Sequence, residues 1–181
     1  MRKKLAPGER LQPALLDRLL DDRPDLRDVE PASACLLDGQ RLKAIVLRDL
    51  QSLLNATALP PDELGAPGSP ARRSVLGFGV PPLAGRPVSS VDAQALAAAV
   101  QRAIVDHEPR LAADSVRVEA QEIDEPSRGR HRNHLSFRIS ARLWAQPVPL
   151  ELLLRSDMDL ESGQASVVEA AAGAAQPTRR A

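Results

Sequence analysis

Apolar positions recur at spacings of three and four in the first half of the chain and at a spacing of two in the second. Arg10 to Leu20 carries Leu11, Leu15, Leu16, Leu19 and Leu20, one apolar stripe on a helix. It ends at Asp21-Asp22-Arg23-Pro24, because a proline disfavours the helical conformation in the residue before it. After a polar connection with Pro31 and Gly39, a second helix is predicted from about Gln40 to Asn55. Leu42, Ile45, Val46, Leu50, Leu53 and Leu54 form its stripe, and Arg41, Lys43, Arg48, Asp49 and Gln51 fall mainly elsewhere. Residues 58–71 break the pattern with Pro60, Pro61, Gly65, Pro67, Gly68 and Pro70, which predicts a long loop. Arg72 to Val80 reads as a short extended piece, and Pro81 to Pro87 as a loop. Ser89 and Ser90 then look like a helix cap, with Asp92 in the first turn. That helix carries Leu96, Val100, Ala103 and Ile104 on one face and runs to about His107, where Pro109 stops it.

Beyond this point Val116, Val118 and Ala120 alternate with polar residues. Leu135, Phe137, Ile139, Ala141 and Leu143 then alternate without error against Ser136, Arg138, Ser140 and Arg142. Val148, Leu150, Leu152 and Leu154 continue the pattern, Asp157 to Gln164 reads as a turn, and Ala165 to Glu169 as a last strand. Strands with one polar face and short connections predict an antiparallel sheet covered on its other face by helices. Helices before strands give an α+β fold, with N-terminal helices packed on a C-terminal antiparallel sheet. The expected organisation is a flexible start (1–9), one domain (10–169) and a disordered tail (170–181) too small and polar to offset the entropy of ordering.

Composition narrows the function. The chain has 181 residues, with 24 Lys+Arg against 24 Asp+Glu, so no net charge draws it to nucleic acid or anionic lipid. The aromatic residues are only Phe78, Phe137 and Trp144, too few for a base-stacking platform or an aromatic sugar cleft. Cys35 is the single cysteine, which excludes an intramolecular disulfide and a cysteine-based zinc finger. No apolar run follows Met1-Arg2-Lys3-Lys4 and no stretch reaches membrane-spanning length, so a cytoplasmic protein is expected.

Candidate chemistry is sparse. His131 and His134 are the nearest approach to a metal pair, but a spacing of three puts them on opposite faces of a strand, and no third ligand is evident. Gly77-Phe78-Gly79 is not followed by Gly-Lys-Ser/Thr and opens into Val80-Pro81-Pro82 rather than a helix, so it reads as a tight backbone passage. Glu108 with Asp106, or Asp124 with Glu125, could be nominated as a hydrolytic carboxylate pair, and Ser74, His107 and Asp106 as a triad. No surrounding motif supports either against a solvated surface. The most unusual feature is Glu108-Pro109-Arg110-Leu111, a helix stopped by a proline that is flanked by opposite charges. It reads either as an exposed ion pair worth ~0.2–1 kcal/mol or as a charged pair offered to a partner, where removing one half costs roughly 2–5 kcal/mol.

At this tetrapeptide the chain resembles the TssE family, the baseplate wedge subunit of the bacterial type VI secretion system. That family is similar to the lysozyme-like wedge protein of contractile phage baseplates. Leu11 to Leu20, Leu50-Gln51-Ser52-Leu53-Leu54-Asn55, Arg73 to Pro81, the tetrapeptide, Leu135 to Leu143, Pro149 to Leu154 and Asp159 to Gly163 resemble the family's blocks in order. Gly77 stands where the family has Asn and Phe78 where it has Tyr, departures expected to remove polar handles and leave the backbone path unchanged.

The resemblance implies a non-enzymatic baseplate component without cofactor. Its implied partners are wedge proteins of the TssF, TssG and TssK type and sheath subunits, with neither nucleic acid nor membrane insertion. It places the molecule in the cytoplasm, at the membrane-proximal baseplate when assembled. It also implies that Glu108, Pro109, Arg110 and Leu111 bind partners, so that Glu108→Ala or Arg110→Ala would leave folding nearly intact. Strand addition to an open sheet edge is expected near Leu150 to Leu154 or after Gly163. A muramidase and an unrelated α+β binding module are the alternatives.

Overall fold

The computed structural model describes residues 39–60, 62–66, 68–121, 133–145 and 149–170. The leucine helix predicted over Arg10 to Leu20, the candidate ligand His131, and all but the first residue of the predicted tail lie outside them.

Helix α1 spans Gly39–Leu54 and buries Leu42, Ile45, Val46, Leu50, Leu53 and Leu54, the predicted stripe. Helix α2 spans Ala93–His107. Its cap is Asp92 rather than Ser89 or Ser90, which belong to a separate 3-10 turn, Val88–Ser90. Asp92 has extended backbone angles, and its Oδ1 accepts from the N–H groups of Gln94 (2.9 Å) and Ala95 (3.0 Å), donors that otherwise lack partners in the first turn. Glu108 closes the helix at the other end, its N–H donating to the Ile104 carbonyl at 2.8 Å.

Strands β1 (Arg117–Gln121), β2 (His134–Leu143), β3 (Leu150–Asp159) and β4 (Ala165–Glu169) form one antiparallel sheet in the order β1-β2-β3-β4. The fold is α+β, as the change of period predicts. β3 runs five residues beyond Leu154, into the stretch read as a turn. Ser156 and Met158 continue the buried face, Arg155 and Asp157 the other, and all ten residues pair with β2. The register aligns Val118, Ile139 and Leu154 in one row, and Ala120, Phe137, Ser156 and Val167 in the next. α1 packs against β4 and α2 against β1, and the two helices touch, so both cover one face of the sheet. Between them and the sheet lie Val46, Leu50, Val100, Ile104, Phe137, Ile139, Leu143 and Leu154, all fully buried. The opposite face carries Arg117, Glu119, Arg138, Arg142, Glu151 and Arg155.

The piece read as extended, Arg72 to Val80, is instead two 3-10 turns, Pro70–Arg73 and Val75–Gly77. The hydroxyls of Ser69 and Ser74 accept from the N–H groups of Ala71 and Leu76 and start each turn. Only Val80 pairs, in a parallel bridge to Thr57. Gly77 is fixed by space: a Cβ there would lie 2.1 Å from the Arg72 carbonyl oxygen. An Asn at this position therefore requires a different backbone path, contrary to the expectation that the departure leaves the path unchanged. Gly79 combines φ of +124° with an approach to the Ala56 carbonyl oxygen that would put a Cβ at 2.4 Å.

Candidate functional site

The proline-stopped turn sits where α2 meets the sheet. Pro109 is exposed, Glu108 and Leu111 are buried, and Arg110 lies between these extremes. Leu111 makes an antiparallel bridge to Leu143 at the end of β2. On either side of it, the Ala112 N–H donates to the Arg142 carbonyl (2.9 Å) and the Trp144 N–H to the Arg110 carbonyl (2.8 Å). The turn is thus sewn by backbone bonds to the last residues of the strand.

Within the turn the two charges meet. Arg110 Nε donates to Glu108 Oε1 at 2.7 Å and Nη2 to Glu108 Oε2 at 2.5 Å, the parallel fork that suits a guanidinium and a carboxylate. The Arg110 backbone N–H also donates to Oε1, at 3.1 Å. Nη2 donates in addition to Asp49 Oδ2 of α1 at 2.6 Å, and Asp49 Oδ1 accepts from Arg48 Nε and Nη2 at 3.0 and 2.8 Å. The array Glu108–Arg110–Asp49–Arg48 therefore ties the end of α2 to the flank of α1. The Arg110 pKa is raised, first by the hydrogen bond to Glu108 and against its partial desolvation, with Asp49 adding to the effect.

This pair differs from a solvated ion pair. Glu108 is 4% exposed, while the Arg110 side chain keeps 25% of its surface. Removing one half of such a pair leaves a buried charge without compensation, at a cost of about 3–5 kcal/mol. The expectation that Glu108→Ala leaves folding nearly intact does not suit this burial. Arg110 Nη1 has no hydrogen-bond partner among the described residues, so the guanidinium is fixed on one edge and unused on the other. Trp144, whose backbone N–H bonds the Arg110 carbonyl, is 60% exposed. Spacing within the tetrapeptide identifies the pair of charges but not Asp49, 61 residues from Arg110, nor Trp144, since neither lies in a local pattern with it.

The other candidates fall into structural roles. Ser74 Oγ donates to the Ala71 carbonyl and accepts from Leu76, so it serves its own turn. His107 Nε2 lies 3.1 Å from the Gly77 carbonyl oxygen, and the ring meets Phe78 edge-on, with centroids 5.5 Å apart. Asp106 pairs with Arg73 at 3.4 Å, and both oxygens of Glu108 are taken by Arg110, so neither nominated carboxylate stands free in a cleft. Asp124 and Glu125 lie outside the described residues. His134 opens β2, and no cluster of three or more His, Cys, Asp or Glu among the described residues is placed to hold a metal ion. No helix among them is long and apolar enough to cross a membrane.

No curated protein and no solved structure matches the chain. A family model does, that of the baseplate wedge protein gp25, over residues 40–148. The match runs from the first turn of α1 to just before β3 and takes in Glu108 to Leu111, Asp49 and Trp144. That span is well over half of the sequence: the chain belongs to the baseplate wedge protein gp25 family, whose members are structural components of contractile baseplates, the TssE proteins among them.

Proposed function

We propose that this chain is the wedge subunit of a type VI secretion baseplate. It joins TssF-, TssG- and TssK-type wedge proteins through Glu108-Pro109-Arg110-Leu111 and helps anchor or initiate the contractile sheath, without catalysing a reaction. The observation that carries this reading is the half-used guanidinium. Glu108 and Asp49 hold Arg110 in one orientation, Pro109 stiffens the turn, and two Nη1 N–H donors remain for a carbonyl or carboxylate of the partner. Rigid presentation lowers the entropy lost on binding. Arginine and tryptophan together are the residue types most enriched among the few that dominate interface energies, and here they are adjacent. In this reading Glu108 and Leu111 position the turn from below, while Pro109 and Arg110 face the partner.

The test is co-purification with the wedge proteins, with melting measured in parallel. Arg110→Lys keeps the charge but loses the fork, and Trp144→Ser removes exposed surface only. Both are expected to lower wedge recovery by tenfold or more while changing the melting temperature by a few degrees, since losing an interfacial anchor costs about 2 kcal/mol or more. If both variants recover wedge proteins like the wild type, the role given to this turn is wrong.

A further inference from the structure

Among the described residues, six large apolar side chains stand exposed, and four of them lie in one loop: Leu59, Val75, Leu76 and Phe78. Val75 is 88% and Leu76 51% exposed. The other two, Trp144 and Val168, belong to the sheet, just past β2 and within β4. The Leu59 N–H donates to the Leu76 carbonyl at 3.1 Å, which brings the two ends of the loop side by side. Phe78 adjoins the end of α2, where it meets the His107 ring edge-on. A grouped apolar surface of this kind marks a docking site, whereas single exposed apolar residues do not.

The loop is braced, so it cannot fold its apolar residues inward. The bridge between Thr57 and Val80 closes its base. There the Ala58 N–H donates to the Val80 carbonyl and the Val80 N–H to the Ala56 carbonyl, each at 3.0 Å. Arg72 ties the middle: its Nη2 donates to the Gly65 carbonyl at 2.8 Å and its Nε to the Ala66 carbonyl at 3.2 Å. His107 Nε2 holds the Gly77 carbonyl at the tip. A surface ordered in advance loses little entropy when it is covered.

The same chain carries a stripe that needs such a surface. Leu11, Leu15, Leu16, Leu19 and Leu20 share one helical face, and a short helix is held mainly by the packing of its apolar face. Eighteen residues separate Leu20 from Gly39, and extended they reach about 60 Å. Gly39 lies ten residues before Asp49 on α1, about 15 Å away. Asp49 is joined to the patch through Arg110, three residues past His107, and through the contact of His107 with Gly77. The connection spans that gap with residues to spare. The charges agree as well. Arg73 stands at the rim of the patch, its side chain 70% exposed with Asp106 at 3.4 Å, and the leucine segment ends in Asp21-Asp22. The last carbonyls of a helix add to the negative charge at that end. We propose that the segment Leu11 to Leu20 docks as a helix on Leu59, Val75, Leu76 and Phe78 of its own chain, with Leu19 and Leu20 over Val75 and Asp21-Asp22 toward Arg73. This placement stands apart from the baseplate reading and does not depend on it.

The experiment is amide hydrogen exchange on the full chain, comparing the wild type with the double variant Val75→Ser and Leu76→Ser. Both positions are exposed, so the variant is expected to fold and to keep the exchange of β2 unchanged. In the wild type the amides of residues 15–20 are expected to exchange slowly. In the variant they should exchange about tenfold faster or more, the factor for losing one buried apolar side chain. Rapid exchange of these amides in the wild type would overturn the proposal and leave the patch to another polypeptide. Slow exchange that the variant leaves untouched would put the leucine helix elsewhere and overturn it equally. A second measurement fixes the contact. With Cys35→Ser as background, Leu19→Cys and Val75→Cys are expected to close an intramolecular disulfide under mild oxidation. Asp17→Cys, on the far side of the helix, is expected not to close with Val75→Cys. Disulfide-linked dimers would mean that the segment docks on a second copy of the chain. Closure by both pairs would mean that the stripe selects no face, and closure by neither that the segment does not reach Val75. Each of these three results would overturn the proposal.

Discussion

Glu108 shows how burial changes the meaning of a residue. Two charges separated by a proline are worth little on a surface, but here the carboxylate is buried and both its oxygens are bound by one guanidinium. Glu108→Ala is expected to lower unfolding stability by about 3 kcal/mol, because Arg110 is left partly desolvated with only Asp49 as a partner. Arg110→Met alone should cost a similar amount, by stranding Glu108. The double change Glu108→Leu with Arg110→Met should cost clearly less than the sum, as urea unfolding of the four proteins would reveal. Ser156 is the opposite case. It is fully buried in β3, and its hydroxyl has no hydrogen-bond partner among the described residues. Ser156→Ala is expected to raise stability by about 1 kcal/mol, since a desolvated hydroxyl is removed and nothing is left unpaired. A drop in the urea midpoint would show that the hydroxyl has a role not visible in its surroundings.

Among the elements, the hairpin joining β3 to β4 is tied to pH through Asp159. Gly163 supplies a φ of +74°. Asp159 holds the turn: Oδ1 accepts from the Glu161 N–H and Oδ2 from the Ser162 hydroxyl, each at 2.9 Å. These bonds favour the ionised carboxylate, so its pKa is lowered, first by the Glu161 N–H and then by Ser162. A depressed acid stabilises the folded state fully above the unfolded carboxylate pKa of about 3.9 and loses that contribution as pH falls through its folded value. The melting temperature of the wild type is therefore expected to fall more steeply below about pH 4 than that of Asp159→Asn, and equal slopes would refute this role. Asp159 also explains why the end of β3 reads as a turn in the sequence. Acidic residues crowd toward Gly163, and only pairing with a ten-residue β2 extends the strand to Asp159 itself.

For the molecule as a whole, periodicity alone carries the architecture. The stripe of α1, the helix ending at His107 and the alternation of β2 each require one buried face, and a single antiparallel sheet under two helices satisfies all three. Where local chemistry competes with pattern, the sequence misleads. Arg72 to Val80 looks extended, yet Ser69 and Ser74 cap two 3-10 turns there, and Asp92 outcompetes Ser89 and Ser90 as the cap of α2. The tetrapeptide is legible because helix, proline and opposite charges are neighbours in the chain. Asp49 and Trp144 are not, because their partner Arg110 lies far along the chain and meets them only after the helices pack together and β2 returns past the turn. Hydrophobic period and turn chemistry are local properties, so the sequence by itself determined the α+β class and the order of helices and strands. Burial and hydrogen-bond satisfaction are properties of assembled surfaces, so only the tertiary structure decided that Glu108 is internal and that one edge of Arg110 stays free among the described residues.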